Sequence, residues 1–318
     1  MSPAEKTRRL KELLSAAGFC RCGVAVAGPI GRVPYLERWL SSGRAGTMAY
    51  LHGHRAFRTD PAKLLDGGRS VVVAAMNYRQ REPATPDDGR PRGRVAMYAW
   101  GDDYHDVMRR RLDSVVDRFR AEVDETFEAR CCVDTAPLLE RELAAMAGVG
   151  WIGKNTMVLH QDVGSYFFLG EIVTTLELAP DEPVADHCGR CTRCLDACPT
   201  GAFPAAYEMD ASKCISYLTI EHRGEIAGTF HRAMGDWVFG CDVCQEVCPF
   251  NRDTPYTTEF GVGPPGPRPA LADIVAWDED AYRATLKGSA TRRAKLPMWK
   301  RNAGIAVKNH AAENTGDR

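Results

Sequence analysis

Apolar positions along the chain follow first a helical and then a strand spacing. Leu10, Leu13, Leu14 and Ala17 recur at intervals of three and four residues and stop at Gly18, which predicts an amphipathic helix over Pro3 to Ala17 with a glycine C-cap. Two short runs rich in β-branched residues, Val24 to Ala27 and Val71 to Met76, lie between glycines and charges and predict buried strands. Val107, Leu112, Val115, Val116, Phe119 and Val123 approximate one face of a long helix over Tyr104 to Glu128. Cys131 to Val133 then reads as a brief strand that stops at Asp134-Thr135-Ala136-Pro137, followed by a helix over Leu138 to Ala147. Thr156 to His160 and Tyr166 to Leu178 read as further strands, the last with good alternation. Asp134 is thereby expected at a strand end, where α/β folds expose side chains to a ligand crevice.

Proline and glycine divide what remains. Arg79 to Arg94 reads as a loop, Pro180 to Asp186 as an acidic linker and Gly261 to Pro269 as a second boundary. Helical segments are expected around Ala270 to Ile274, Glu279 to Leu286 and Pro297 to Asn309. The pattern predicts an α+β protein: an α/β body over residues 1–180, a cysteine-rich unit over 181–260 and a helical segment over 261–318. A chain of 318 residues, 44% hydrophobic, is long enough to bury a proper core.

Charge and termini narrow the class. Met1 to Lys11 has no apolar core of a signal peptide, and no stretch approaches the ~18 uninterrupted apolar residues of a membrane span, so a cytoplasmic protein with no membrane partner is expected. The formal net charge of -1 argues against nonspecific attraction to nucleic acid. Its distribution qualifies that: Lys287, Arg292, Arg293, Lys295, Lys300, Arg301 and Lys308 follow one another with no Asp or Glu between Lys287 and Lys308. Such a segment reads as a local phosphate-binding surface or, more plainly, as a solvated helix face.

Candidate chemistry lies in the cysteines. Cys188-Gly-Arg-Cys191-Thr-Arg-Cys194-Leu-Asp-Ala-Cys198-Pro199 matches the C-x2-C-x2-C-x3-C-P run of bacterial two-cluster ferredoxins, and Cys214 with Cys241-Asp-Val-Cys244-Gln-Glu-Val-Cys248-Pro249 repeats it in stretched form. In that fold the fourth cysteine of each run binds the other cluster. One [4Fe-4S] site is thus expected from Cys188, Cys191, Cys194 and Cys248, and a second from Cys198, Cys214, Cys241 and Cys244. Structural zinc does not fit a third cysteine at the same short spacing followed by x3-Cys-Pro, and disulfides need an oxidising compartment. Clusters move single electrons, so substrate chemistry must lie elsewhere, in the 180 or so residues that precede them.

Other motifs carry less. Gly148-Val-Gly150-Trp-Ile-Gly153-Lys154-Asn155 matches G-x-G-x-x-G and nearly a phosphate loop, but a helix precedes it and a strand follows, the reverse of what phosphate binding needs. The pairs Cys20 and Cys22, and Cys131 and Cys132, read as structural thiols. His52 and His54 read as a surface loop with no third ligand.

Several segments closely resemble the epoxyqueuosine reductase family: Val133-Asp134-Thr135-Ala136-Pro137-Leu138-Leu139-Glu140-Arg141, Gly150 to Asn155, Gly164 to Glu171, Cys214 to Glu221, Gly240 to Gln245 and Gly288 to Arg293. The likeness runs in order from about residue 5 to residue 310. It implies a cobalamin-binding α/β domain similar to that of reductive dehalogenases, then the two-cluster domain, then a helical, HEAT-like part that holds tRNA. That last part looks shorter here than in members with additional repeats. The implied activity is reduction of epoxyqueuosine to queuosine at the anticodon wobble position, the last step of queuosine biosynthesis, with electrons from an external low-potential donor.

The resemblance implies Asp134 as proton donor. To act so at neutral pH its carboxyl is expected to be held protonated by burial or a neighbouring anion; its plainer role is a helix N-cap. Cobalamin contacts are implied at Arg58, Tyr104, Asp134, Val158, Ser216, Tyr217, Arg223, Cys241 and Asp242, and tRNA contacts at Arg292, Arg293, Lys295, Lys300 and Arg301. No D-x-H-x-x-G motif is present to supply a lower histidine ligand, so base-off cobalamin is expected. A monomer is expected. Two other readings share the cysteines: an electron-transfer protein with no substrate site, and a corrinoid dehalogenase of small molecules.

Overall fold

A computed structural model of the chain describes residues 1–315, so the last three residues of the expected helical segment lie outside the described residues. In chain order the first part contains α1 (Pro3–Ala16), β1 (Arg21–Val26), α2 (Val33–Ser41), α3 (Arg55–Thr59), β2 (Ser70–Asn77), β3 (Arg94–Val95), α4 (Tyr104–Arg120), β4 (Ala129–Cys132), α5 (Glu140–Met146), β5 (Trp151–Ile152), β6 (Val158–Leu159) and β7 (Phe167–Thr174). The cysteine-rich region adds α6 (Arg193–Asp196), α7 (Ile215–Ile220), α8 (Gly228–Met234), β8 (Trp237–Phe239) and α9 (Val243–Glu246). Three helices close the chain: α10 (Leu271–Ala276), α11 (Glu279–Thr285) and α12 (Leu296–Thr315).

The main sheet has the order β1-β2-β7-β4 with every pair antiparallel. Because strand side chains alternate between faces, β2 sends Val72, Ala74 and Met76 into a core with α1 and α4, and Val71, Val73 and Ala75 into a second core with α5. Both faces are covered, which is why this strand reads as an unbroken apolar run. On the α5 side the packing is tight: a Cβ placed on Gly23 of β1 would lie 1.8 Å from the Ala147 carbonyl oxygen at the end of α5.

Three elements are markedly shorter than their sequence spacing predicts, among them the strand expected over Tyr166 to Leu178, which covers Phe167–Thr174. The helix from Tyr104 stops at Arg120. The acids beyond it are unfavourable at a helix C-terminus, and two of them reach α1 instead, Glu122 pairing with Arg9 and Glu125 with Lys6. The strand expected over Thr156 to His160 shortens to two residues, because Thr156 sits in the left-handed region at φ 63°.

A third core ties the expected segments together. Val95, Ala99 and Trp100 from the first segment pack with Val238 and Phe239 of β8 and with Leu271, Ile274 and Trp299 of the C-terminal helices. β3 pairs in parallel with β8 across the same boundary. No helix among the described residues is long and apolar enough to cross a membrane.

Candidate active site

Asp134 occupies a strained turn at the end of β4. Its φ is 54°, and the Thr135 N–H donates to the Val133 carbonyl at 2.6 Å, closing a three-residue turn of the rare left-handed kind. The Asp134 N–H donates to Glu140 Oε1 at 2.6 Å, which ties the turn to the first residue of α5. Its side chain, 59% exposed, stands in an open recess with Tyr50, Arg58, Tyr104, His105, Arg293 and Glu140 as its charged and phenolic neighbours.

The group that governs Asp134 is His105, which the sequence analysis did not single out. Asp103 caps α4 by accepting from the His105 N–H, and the same carboxylate holds His105 Nδ1 at 2.6 Å. The other ring nitrogen, Nε2, then faces Asp134 Oδ2 at 3.1 Å. Burial works against the imidazolium, but the two carboxylates outweigh it and push the His105 pKa up to about 9. The expected raised pKa of Asp134 is therefore corrected. Burial does push it up, yet His105, the Tyr104 hydroxyl and Arg293 pull it below the ordinary carboxylate value. The ready proton at neutral pH sits on His105. Tyr104 itself is clamped between His105 and Phe168, at ring distances of 4.0 and 4.1 Å.

All eight cysteines of the two runs are free and partly exposed. For Cys194, Cys241 and Cys244 burial comes first among the causes that raise the thiol pKa, and repulsion by neighbouring thiols comes next. Cys194 is pushed up to about 11 by burial and then by Cys248, Cys188 and Cys191. Cys241 is raised by burial and, among its neighbours, by Cys214 and Cys198. Cys244 is raised by burial, Cys241 and Cys214. Cys194, of the first run, is also among the neighbours of Cys244, so the two runs lie side by side. Among the described residues no three such ligands converge on a single-ion site; a cubane holds its thiolates at separate corners, farther apart than the ligands of one zinc.

Donors fit the sulfurs. The buried Trp151 Nε1–H has no oxygen or nitrogen partner and is directed at Cys188, while the Ala202 N–H lies 3.3 Å from Cys198 Sγ. Gly153-Lys154-Asn155, the false phosphate loop, clasps both cysteine loops. Lys154 Nζ donates to the Gly189 and Cys191 carbonyls at 2.7 and 3.0 Å, and Asn155 Nδ2 donates to the Cys244 carbonyl at 3.3 Å.

Helix α7 joins the cysteine region to the recess. Cys214 is its N-cap and Glu221 its C-cap, so its six residues span about 9 Å at 1.5 Å per residue. Glu221 holds Arg293 in a bidentate pair at 2.8 and 2.9 Å, with the guanidinium 5.5 Å from the Tyr50 ring. Arg293 and the exposed Arg292 are carried by a rigid turn: the Asp103 N–H donates to the Gly288 carbonyl, and Tyr282 and Trp299 donate to carbonyls on either side of Arg293. Lys295 and Lys300 are exposed and make no ion pair among the described residues.

Arg301 is a correction. Its guanidinium donates inward to the Leu218, His222 and Gly224 carbonyls at 2.5 to 2.7 Å, and burial lowers its pKa to about 10. It caps the end of α7 and has no donors left facing a phosphate.

The residues expected at cobalamin are unevenly available. Asp134 and Tyr104 meet in the recess, and Arg58 borders it with only a weak bond to the Gly53 carbonyl at 3.4 Å. Ser216 and Cys241 are partly exposed and Arg223 is exposed. Tyr217 is buried, its hydroxyl accepting from the Thr47 N–H at 2.8 Å. Val158 is buried in the α5 core, so only its backbone could meet a ligand. Asp242 is buried as well; it accepts from the Met97 N–H, and burial lifts its pKa to about 7.

A separate cleft of about 1070 Å³ opens beside Cys248. Arg79, Arg81, Arg94, Arg193, Arg252 and Arg268 line it, together with Trp237 and Tyr256. Glu246 neutralises Arg94, and Glu82 with Asp236 neutralises Arg268. Arg81, Arg193 and Arg252 are exposed and have no acidic partner among the described residues, Arg81 lying over the Tyr256 ring at 4.3 Å. Asp242, one of the expected cobalamin contacts, also lines it, but the residues named around Asp134 do not.

Comparison with known proteins follows these two regions. Residues 187–251 match the family described as 4Fe-4S double cluster binding domain, and residues 58–135 match the family described as Epoxyqueuosine reductase QueG, DUF1730. The epoxyqueuosine reductase of Cyclobacterium marinum is 41% identical over 318 residues, covering 98% of this chain and 100% of the relative. Among solved structures, an epoxyqueuosine reductase with an epoxyqueuosine-modified tRNA-Tyr stem loop aligns with a TM-score of 0.87 at 31% identity, covering 96% of this chain and 81% of that one. The Bacillus subtilis epoxyqueuosine reductase, in a form with its catalytic aspartate loop swung out of the active site, aligns with a TM-score of 0.85 at 30% identity and covers 96% and 82%.

Proposed function

Because this chain belongs to the epoxyqueuosine reductase family, we propose that it reduces epoxyqueuosine in the tRNA anticodon to queuosine, with Asp134 and His105 managing the protons. Removing the epoxide oxygen to leave an alkene takes two electrons and two protons and releases water. When bound, two [4Fe-4S] clusters would supply single-electron transfer and cobalamin would supply the two-electron reducing chemistry.

The chain's own residues do the rest. Cys188, Cys191, Cys194 and Cys248 hold one cluster, and Cys198, Cys214, Cys241 and Cys244 hold the other. Arg58, Tyr104, Ser216, Arg223 and Cys241, with the Val158 backbone, border the cobalamin. The observation that carries this reading is the seating of Cys214 and Glu221 as the two caps of α7, seven residues and about 10.5 Å of rise apart, so that an expected cluster ligand and the Asp134 recess share one short rigid element. His105 stores a proton at neutral pH, and Asp134, facing the open recess, passes it to the departing oxygen. Arg292, Arg293, Lys295 and Lys300 face the anticodon phosphates.

An external low-potential donor supplies electrons at the arginine cleft beside Cys248. The protein works as a monomer in the cytoplasm.

The test is anaerobic reconstitution with iron, sulfide and cobalamin, followed by turnover of epoxyqueuosine-containing tRNA with dithionite. Queuosine should form. A protein loaded with both clusters and corrinoid that makes none would refute the reading. Asp134→Asn should bind cobalamin normally and lose about 10²-fold or more in turnover, the usual scale for a positioned proton-transfer group.

A further inference from the structure

Beneath the Asp134 turn lies a second carboxyl group that the proton chemistry does not use. Glu171 stands in the middle of β7, directly across from Cys132 of β4, two residues before Asp134. It is 0% exposed, and no hydrogen bond shorter than 3.5 Å reaches either of its oxygens. An ionised carboxylate left bare in such a place would be very costly. The group it faces is Glu140, the residue whose Oε1 accepts from the Asp134 N–H.

We propose that Glu140 and Glu171 are positioning residues, a carboxyl pair that latches the strained Asp134 turn into its site-facing form. This rests on the reading of Asp134 as the group that hands over a proton. A left-handed residue closed by a three-residue hydrogen bond does not hold itself, and Glu140 supplies the one side-chain bond that fixes its N–H. Glu171 in turn lies against Glu140 from within the sheet. Burial, reinforced by Glu140, pushes the Glu171 pKa well above the ordinary carboxyl value, so Glu171 stays protonated and puts no charge beside Glu140. Burial, then Asp134, raises Glu140 to about 8, against the pull of Arg141. Asp134, Glu171, Arg58, Tyr104, Arg141 and the buried thiol of Cys132 are the charged or titratable groups around Glu140. The swung-out aspartate loop of the Bacillus subtilis relative supports a turn with two positions.

The test compares Glu171→Leu, Glu171→Gln and Glu140→Ala in the full chain by amide hydrogen exchange over residues 133–139 and by dithionite-driven turnover. Glu171→Leu and Glu140→Ala should speed exchange of the turn and lower kcat, each by about tenfold, the scale of one lost buried hydrogen bond, with little change in KM for tRNA. Glu171→Gln keeps a neutral donor of the same shape and should restore both. Unchanged exchange in Glu171→Leu and Glu140→Ala, or a Gln variant as impaired as the Leu variant, would overturn the latch. Faster exchange with unaltered kcat would overturn its role in positioning. If Asp134→Asn were then also fully active, the fault would lie in the proton role of Asp134.

Discussion

His105 sets the protonation state of the candidate site because it stands between two carboxylates. Its pKa of about 9 lies above the ordinary imidazole value, so the proton is bound at neutral pH and lost as the pH rises through about 9. The direction for Asp134 is opposite: its pKa is lowered, so it is ionised throughout the neutral range. Dithionite-driven kcat should therefore be flat near neutrality and fall above about pH 9. His105→Gln should cost about 10² in kcat, abolish that alkaline limb and let the Asp134 pKa rise, moving the acid limb upward. An unchanged alkaline limb in the variant would assign the titration to another group. The ion pairing also stabilises the fold, fully below the ordinary histidine pKa and less as the pH passes about 9. Asp134 was legible in the sequence because it follows a strand and sits in a recognisable segment. His105 was not, since its partner lies 29 residues away and meets it only when α4 packs beside β4. Glu171 did leave a signal: a single acid in the apolar run Phe167 to Thr174, where the strand is covered on both faces.

Whole elements were more legible where burial alone dictated them. β2, α1 and α4 declare themselves by apolar spacing, and all three form, α4 losing only its acidic end. The one-turn elements around the cysteines follow loop and cluster geometry and leave little periodic signal. Helix α7 escaped notice for that reason. Arg301 was misread because composition shows a charge and not the carbonyls it satisfies. Contact between elements also explains one glycine. Gly23 of β1 touches the end of α5, the helix that begins at Glu140, and any Cβ there must push the Ala147 carbonyl away. Gly23→Ala should thus destabilise by about 1–3 kcal/mol, the cost of overpacking against backbone. Thermal unfolding of the Gly23→Ala protein should show a melting temperature several degrees lower. An unchanged value would mean that α5 is free to slide along the sheet.

At the scale of the molecule, the cores interlock across the three expected segments. Residues 95–100, β8 and the C-terminal helices share one core, which fixes the cysteine region against the recess. The cleft beside Cys248 shares none of the residues named around Asp134, and its unpaired Arg81, Arg193 and Arg252 make it locally positive on a chain whose formal net charge is only -1. A positive rim next to a cluster ligand suits a small acidic electron carrier, drawn in by charges that act over about 10 Å at 0.1 M salt. Reversing all three charges, Arg81→Glu with Arg193→Glu and Arg252→Glu, should weaken binding of a reduced acidic flavodoxin- or ferredoxin-type protein by about tenfold or more. The same variant should bind tRNA normally and turn over normally with dithionite, which needs no docking surface. Binding of the carrier to the unaltered protein should also fall steeply with added salt, and much less steeply in the variant. If carrier binding held while tRNA affinity fell, the cleft would belong to the path of the RNA backbone, and the carrier would have to dock elsewhere around the cysteine loops.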